Sequence, residues 1–190
     1  MKYKYIVIFP IPDPYLERII EIMDIIALYT GIEPPYKRLV PHITFHRPIE
    51  NIEEEVIKDF VKSMVLQMRR TRITISDLFP FGKQYIVFPV HATRAVAEFW
   101  VGINYLLSRL KEYVHGEFDH DNTLHISVAE KTSDVFDEVW PTIKKMVSFD
   151  PMNIPVGKIA IYRKPIDPSE NGNWELVVHY LIDWRKTKSG

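Results

Sequence analysis

A tripeptide of one pattern occurs twice in this 190-residue chain, as His42-Ile43-Thr44 and as His125-Ile126-Ser127. Each copy lies in a short apolar run, residues 40–45 and residues 124–128, of the kind that favours a β-strand. Side chains two apart on a strand project from the same face, so each copy presents an imidazole beside a hydroxyl. The sequence therefore predicts two similar strands that carry the same pair of polar groups.

The segments after the two motifs follow the same order, which is a motif strand, a helix and two strands. The motif histidines, His42 and His125, are 83 residues apart, and Ile73 and Val156 share that spacing in later strands. This pattern indicates a duplication, with repeats over about residues 40–90 and 123–183. A two-fold relation between the repeats would place the histidines on opposite sides of one groove.

We therefore predict an α+β fold with two antiparallel sheets around a central groove and helices on the outside. The whole chain, residues 1–190, is expected to form one bilobal domain. Strands are predicted at residues 3–11, 72–79, 84–90, 154–162 and 174–183, besides the two motif strands. Residues 185–190 have no apolar anchor and are expected to form a frayed tail.

Four helices are predicted from apolar periodicity and from capping residues at their ends. Asp13, Asn51, Thr93 and Ser133 are the expected N-caps, and Asn51 with Glu54 resembles a capping box. Gly31 is expected to close the first helix, and the third is expected to end near Gly116. Pro141 is expected to kink or restart the fourth helix. The second helix is expected to bury its apolar face, which consists of Val56, Phe60, Val61, Met64 and Met68.

The composition excludes several classes of chemistry. The chain has no cysteine, so disulfides, thiol nucleophiles and cysteine-bound metals are absent. A formal net charge of -1 argues against avid binding of duplex nucleic acid, although a local pocket for a nucleotide or an RNA end is compatible with it. The first apolar run is too short for a signal peptide, and no run approaches the ~20 apolar residues of a membrane helix. We expect a cytoplasmic monomer that does not bind membranes.

Two imidazoles and two hydroxyls suit the cleavage of a phosphodiester. In-line displacement at phosphorus needs a base for the attacking oxygen and an acid for the leaving oxygen, and imidazole serves both roles near neutral pH. The hydroxyls of Thr44 and Ser127 can donate hydrogen bonds to the non-bridging phosphate oxygens. The scheme requires no metal and no cofactor. It does not decide which of His42 and His125 is the base.

These residues resemble the two-histidine (2H) phosphoesterase superfamily, which includes the LigT-like 2′-5′ RNA ligases and cyclic phosphodiesterases. The opening residues 4–10, the Pro41-His42-Ile43-Thr44 motif and residues 170–174 are especially similar to its small bacterial YjcG-like branch. The resemblance implies metal-independent cleavage or formation of phosphodiesters that involve a 2′ oxygen, with His42 and His125 as the acid and base pair. The second motif departs from the family pattern, because it has Ser127 where threonine is usual and lacks a preceding proline.

Four further residues are candidates for substrate binding. Phe81 and Tyr162 lie at or near strand ends, from which an aromatic ring can stack on a base or can simply complete the core. Lys131 and Arg163 could supply positive charge for a phosphate, or could be solvated surface residues. His46 lies four residues after His42 and invites a metal site with residues 119–121, but positions four apart on a strand are separated by ~13 Å.

Three functions fit these observations. The leading one is an enzyme that acts on 2′,3′-cyclic phosphate or 2′-5′-linked nucleotide and RNA ends, and that could also work in reverse as a ligase. The first alternative is a non-catalytic module of the same fold that binds a nucleotide or an RNA end. The second is a metal-dependent hydrolase, which predicts stoichiometric metal and sensitivity to chelators.

Overall fold

The computed structural model describes residues 2–45, 48–109, 124–167 and 173–182. Within these ranges there are four helices: α1 (Tyr15–Thr30), α2 (Glu54–Gln67), α3 (Arg94–Arg109) and α4 (Phe136–Met146). A 3₁₀ turn spans Pro35–Lys37. The strands are β1 (Tyr3–Pro10), β2 (His42–Thr44), β3 (Ile49–Glu50), β4 (Arg72–Ile75), β5 (Phe79–Phe81), β6 (Tyr85–Ala92), β7 (His125–Glu130), β8 (Met152–Pro155), β9 (Lys158–Pro165) and β10 (Glu175–Leu181).

The strands form two antiparallel sheets. The first sheet has the order β10-β9-β1-β2, with β3 paired to β1, and the second has the order β5-β6-β4-β8, with β7 paired to β6. Strands from both parts of the chain contribute to each sheet, since β9 and β10 join β1 and β2 while β4 joins β6 and β7. The predicted α+β class with two antiparallel sheets is confirmed.

Alternation along β1 gives the first sheet two different apolar faces. Tyr5, Val7 and Phe9 belong to the main core, which also contains Ile57 and Val61 of α2. The intervening Ile6 and Ile8 belong to a separate small cluster on the opposite face. Successive residues of a strand point to opposite faces. One face of this sheet therefore packs on the main core with α2, and the opposite face carries the small cluster.

The predicted strand at residues 154–162 is wrong as a single element. Residues 152–155 form β8 in the second sheet, and residues 158–165 form β9 in the first. The chain passes between the sheets at Val156-Gly157, where Val156 donates a hydrogen bond to Thr71 and Ile182 donates one to Gly157. Ile154, Val156 and Ile159 are all buried, so the apolar run is continuous through the crossing. Hydrophobicity reports burial and not the identity of the neighbouring strand. The predicted strand at residues 72–79 likewise divides into β4 and β5.

Three of the predicted side-chain caps are wrong. Helices α1, α2 and α4 begin after Pro14, Glu53 and Val135, and none of these residues makes a side-chain capping bond. Their starting points are set by packing of the helix on the core, which outweighs a cap contribution of about 1 kcal/mol. Gly31 closes α1 in the left-handed conformation, as predicted, with φ of 67°.

The other helix predictions have mixed outcomes. Thr93 directly precedes α3, and its carbonyl accepts the first helical hydrogen bond from Ala97. The buried residues of α2 are Ile57, Val61 and Val65, whereas Val56 is 43% exposed, so the predicted inner face was out of phase at that residue. The predicted end of the third helix near Gly116 and the tail at residues 185–190 lie outside the described residues. No helix in the described ranges is both long and apolar enough to cross a membrane.

Candidate active site

The two motif strands lie against each other where the two sheets meet. Strand β2 is the outermost strand of the first sheet, and β7 pairs with β6 in the second. Strands β2 and β7 are in direct contact, although their sequences are far apart. The tertiary structure therefore brings the His42 and His125 motifs together.

Alternation exposes the polar residues of both motifs and buries the residues between them. His42 is half-buried and Thr44 is exposed, while Ile43 between them is buried. His125 and Ser127 are half-buried and alternate with Ile126 and Val128, which are in the core. Each strand thus presents one imidazole and one hydroxyl on its accessible side. We call these sides of the two sheets the motif faces.

The protonation of His42 is controlled by its surroundings. Its Nδ1 lies 2.7 Å from the backbone carbonyl oxygen of Val40. A carbonyl can only accept a hydrogen bond, so Nδ1 carries the proton and Nε2 is left for the reaction. Burial lowers the pKa of His42 below its ordinary 6.5, and the charge of His125 lowers it further, against the opposing effects of the Val40 carbonyl and Glu130. Near neutral pH, His42 is therefore a neutral imidazole with an available lone pair on Nε2.

An aromatic ring holds the second histidine. The rings of Phe81 and His125 meet edge to face, with centroids 5.2 Å apart and planes at 79°. Strand β5 positions Phe81 for this contact, because Phe81 is paired with Tyr85 of β6, and β6 is also the neighbour of β7. Of the two predicted aromatic residues, Phe81 is thus brought directly to a motif histidine.

Tyr162 lies on the motif face of the first sheet. It is paired with Ile6 across the β1 and β9 ladder, on the same face as Ile8, which is paired with Thr44 of β2. Tyr162 packs there against the small cluster of Ile6, Ile8, Leu39 and Ala160, with Val40 and Trp174 beside it. Burial raises the pKa of the Tyr162 phenol, so it stays protonated at neutral pH. This cluster gives the site an apolar floor next to Thr44.

Arg163 is not brought to the histidines. It follows Tyr162 on β9 and therefore projects from the opposite face, where its guanidinium pairs with Glu54 at 2.9 Å and with Glu175 at 3.4 Å. The same guanidinium lies 4.5 Å from the ring centroid of Tyr3. Lys131 follows β7 directly, is exposed and adopts a left-handed backbone conformation with φ of 59°.

The structure adds two charged residues that the sequence pattern did not indicate. Glu130 is five residues after His125, so simple alternation would place it on the opposite face. The pairing of Val87 with Ser127 and of Ile86 with Ala129 shows a β-bulge at Val128. The extra residue returns Glu130 to the motif face, where it pairs with Arg38 at 2.7 Å.

In the described part of the chain, no group of three or more His, Asp and Glu side chains is arranged to hold a metal ion. His46 and residues 119–121, from which the metal hypothesis was built, lie outside the described residues.

Comparison with solved structures identifies the fold. The chain is similar to LigT of E. coli in complex with 3′-AMP, with a TM-score of 0.58 and 11% identity over 95% of this chain and 98% of that one. It is also similar to the protein TT0787 of Thermus thermophilus, with a TM-score of 0.60 and 16% identity over 96% of this chain and 98% of that one. A structure described as a phosphoesterase gives a TM-score of 0.54 and 13% identity over 96% of this chain and 99% of that one.

The fold is therefore that of LigT and of related phosphoesterase structures, matched over nearly the full length of each chain. No known family model matches the sequence, and no curated protein is a detectable relative.

Proposed function

We propose that this protein is a metal-independent phosphodiesterase that acts on 2′,3′-cyclic phosphate or 2′-5′-linked ends of nucleotides and RNA. The observation that carries the proposal is the contact between β2 and β7, which sets two imidazoles and two hydroxyls on adjoining motif faces. The fold shared with LigT, which was solved with 3′-AMP, supports a nucleotide as the substrate. The assignment to the YjcG-like branch and the cytoplasmic, monomeric state remain predictions from the sequence.

His42 is the base of the hydrolytic reaction and His125 is the acid. The neutral Nε2 of His42 takes a proton from water as the water oxygen forms a bond to phosphorus. The bond from phosphorus to the leaving ribose oxygen breaks, and that oxygen receives a proton from His125. In the ligase direction a ribose hydroxyl replaces water as the nucleophile on the 2′,3′-cyclic phosphate. Its proton passes to His42, and the ribose oxygen that leaves phosphorus again receives a proton from His125.

Thr44 and Ser127 bind the reacting phosphate. Each hydroxyl lies two residues from its histidine on the same strand face and can donate a hydrogen bond to a non-bridging oxygen. These oxygens carry the charge of the transition state, where fixed donors have their largest effect. The apolar floor at Tyr162 and the ring of Phe81 offer flat surfaces for the base and the ribose.

The deciding experiment measures turnover of two oligoribonucleotides in excess chelator, one with a 2′,3′-cyclic phosphate end and one with a 2′-5′ linkage. The proteins are the wild type, His42→Ala, His125→Ala and, as a control, Arg94→Ala. Arg94 is exposed at the start of α3, a helix that packs on the main core and not on a motif face. We expect turnover by the wild type and the control, and a loss of at least about 10²-fold in each motif variant.

The other outcomes select the alternative functions. Binding of the oligonucleotides without turnover by the folded wild type would favour the non-catalytic module. Turnover that disappears in chelator and returns with an added divalent metal would favour the metal-dependent hydrolase. Turnover that survives both motif substitutions would refute the proposed mechanism.

A further inference from the structure

An ion pair connects the two motif segments at the edge of the site. Nη2 of Arg38 lies 2.7 Å from Oε2 of Glu130. Arg38 precedes His42 by four residues, and Glu130 follows His125 by five. The turn at residues 35–37 that leads to Arg38 contacts β7. The pair therefore joins the two halves of the proposed catalytic machinery.

The position of Glu130 is determined by the bulge at Val128. Because of the bulge, Glu130 is paired with Tyr85 and shares a face with Ser127 and His125. Its negative charge acts on His42 and raises the pKa of that imidazole, against the stronger effect of burial. A carboxylate beside a site for a phosphodiester is unexpected on electrostatic grounds, since two negative charges at short range repel each other. The Arg38 guanidinium offsets this repulsion in the absence of ligand.

The position of Arg38 is determined by the residues that follow it. Leu39 and Val40 pack on the motif face of the first sheet against Ile8, which is paired with Thr44. The Val40 carbonyl accepts the hydrogen bond from His42. Arg38 is thus at the rim of the motif face, with its side chain 52% exposed against 29% for Glu130.

Among the described residues, the Arg38 guanidinium uses few of its hydrogen-bond donors. Its side-chain bond within the described residues is the one from Nη2 to Glu130, whereas a guanidinium carries five N–H donors. Arginine binds phosphate through two parallel hydrogen bonds, and this geometry is stronger than a single bond to a half-exposed carboxylate. A phosphate group at the rim would therefore compete successfully with Glu130 for Arg38.

We propose, on the basis of the function proposed above, that Arg38 binds a second phosphate of the substrate and that Glu130 holds the guanidinium ready for it. The reacting phosphodiester lies on the histidines and hydroxyls, and the second phosphate displaces Glu130 from Arg38. The substrate class is then a nucleotide or oligonucleotide end with a further phosphate next to the reacting one. A nucleoside cyclic phosphate without that group is a poorer substrate.

The test compares two substrates that differ in one group: adenosine 2′,3′-cyclic phosphate and the same molecule with a 5′-phosphate. Arg38→Gln should raise KM about tenfold for the 5′-phosphorylated substrate and leave the other unchanged, as expected for one charge-assisted contact. Glu130→Gln should lower KM more for the 5′-phosphorylated substrate than for the other, because it removes the competitor of the second phosphate in addition to a charge that repels the reacting one. Arg18→Gln is the matched control, since Arg18 forms an exposed pair with Glu21 on α1.

A purely structural ion pair predicts a different pattern. Loss of either partner would then have the same effect, and KM would change equally for both substrates. That result, with unfolding free energies close to the wild type, would overturn the assignment of Arg38. Equal KM values of Arg38→Gln and the wild type for the 5′-phosphorylated substrate would also overturn it.

A binding measurement separates this inference from the proposed function. Calorimetry on the His42→Ala variant, with and without Arg38→Gln, compares adenosine 3′-phosphate with adenosine 3′,5′-bisphosphate. Tighter binding of the bisphosphate that depends on Arg38 would support the second site even if the wild type shows no turnover. Turnover that depends on both histidines, together with no Arg38-dependent preference for the bisphosphate, would retain the proposed function and reject the second site.

Discussion

Pro89 of β6 lies directly opposite His125 of β7, and Pro10 of β1 lies opposite His42 of β2 in the same way. In each sheet the residue after the proline donates a hydrogen bond to the residue before the histidine. The backbone N–H of Ile11 donates to the carbonyl oxygen of Pro41 at 3.0 Å, and the backbone N–H of Val90 donates to that of Leu124 at 2.8 Å.

This hydrogen-bond pattern marks both proline and histidine pairs as non-hydrogen-bonded positions of an antiparallel ladder. A proline at such a position removes no bond from the ladder with the histidine strand, and side chains approach more closely there than at hydrogen-bonded positions. The two half-sites are therefore built alike, each with a rigid proline ring beside its histidine. The equivalence includes β1 and β6, which precede the two motifs along the chain.

The pH dependence of the reaction should identify His42 as the base. The value of kcat/KM should rise with pH and level off above the pKa of His42 in the free enzyme, which burial lowers below 6.5. Glu130 raises the pKa of His42, so Glu130→Gln should move the acidic limb to still lower pH. Steady-state kinetics across the acidic range measures both effects.

The exposed Glu98 pairs with Arg94 on α3, and Glu98→Gln is the control for the loss of one carboxylate. An acidic limb at or above 6.5 in the wild type, or one that Glu130→Gln leaves in place, would contradict the role given to His42.

The two motif hydroxyls should act on turnover more than on binding. Thr44→Val and Ser127→Ala should each lower kcat by about 10²-fold or more, because a donor aimed at the transition-state charge is lost. The matched controls are Thr142→Val on α4 and Ser63→Ala on α2, which make the same chemical changes at exposed positions. If KM rises and kcat is unchanged, the hydroxyls only bind the ground state.

The contact between Phe81 and His125 should affect the rate. Phe81→Leu removes an edge-to-face contact of about 0.5–1.5 kcal/mol, so kcat should fall about 2- to 13-fold as the imidazole becomes less well positioned. Phe79→Leu is the control, because Phe79 lies on the same strand and contacts Phe81. A larger loss in Phe79→Leu than in Phe81→Leu would contradict this role.

Pro141 should reduce the stability of the fold. Helix α4 continues from Phe136 to Met146 through Pro141, so the helix does not restart there. Pro141→Ala restores the missing backbone donor. Loss of the proline also makes the unfolded chain more flexible, which offsets a smaller part of the gain, so we expect the free energy of unfolding to rise by about 2 kcal/mol. Urea denaturation measures the change. Thr142→Ala, at the exposed next position of the helix, is the control and should raise the free energy of unfolding by less than about 0.7 kcal/mol. An equal gain in both variants would refute the explanation.

The local pattern of the sequence was enough to predict the motif strands. Alternation of polar and apolar residues around His42 and His125 predicts which side chains are buried, and the structure has the same alternation. The left-handed Gly31 at the end of α1 was equally predictable, because glycine adopts that conformation without steric cost. These features depend on contacts between residues that are close in sequence.

The partners of each strand were decided by packing over long distances. Tyr162 and Arg163 are adjacent on β9 and cannot share a face, but only the pairing of Tyr162 with Ile6 shows that Tyr162 is the one on the motif face. The apolar run from Ile154 to Ile161 does not reveal that it changes sheets at Gly157. The bulge at Val128 that turns Glu130 towards Arg38 has no sequence signal of its own. Burial leaves a pattern along the chain, whereas the choice of neighbour is fixed by the free energy of the assembled core.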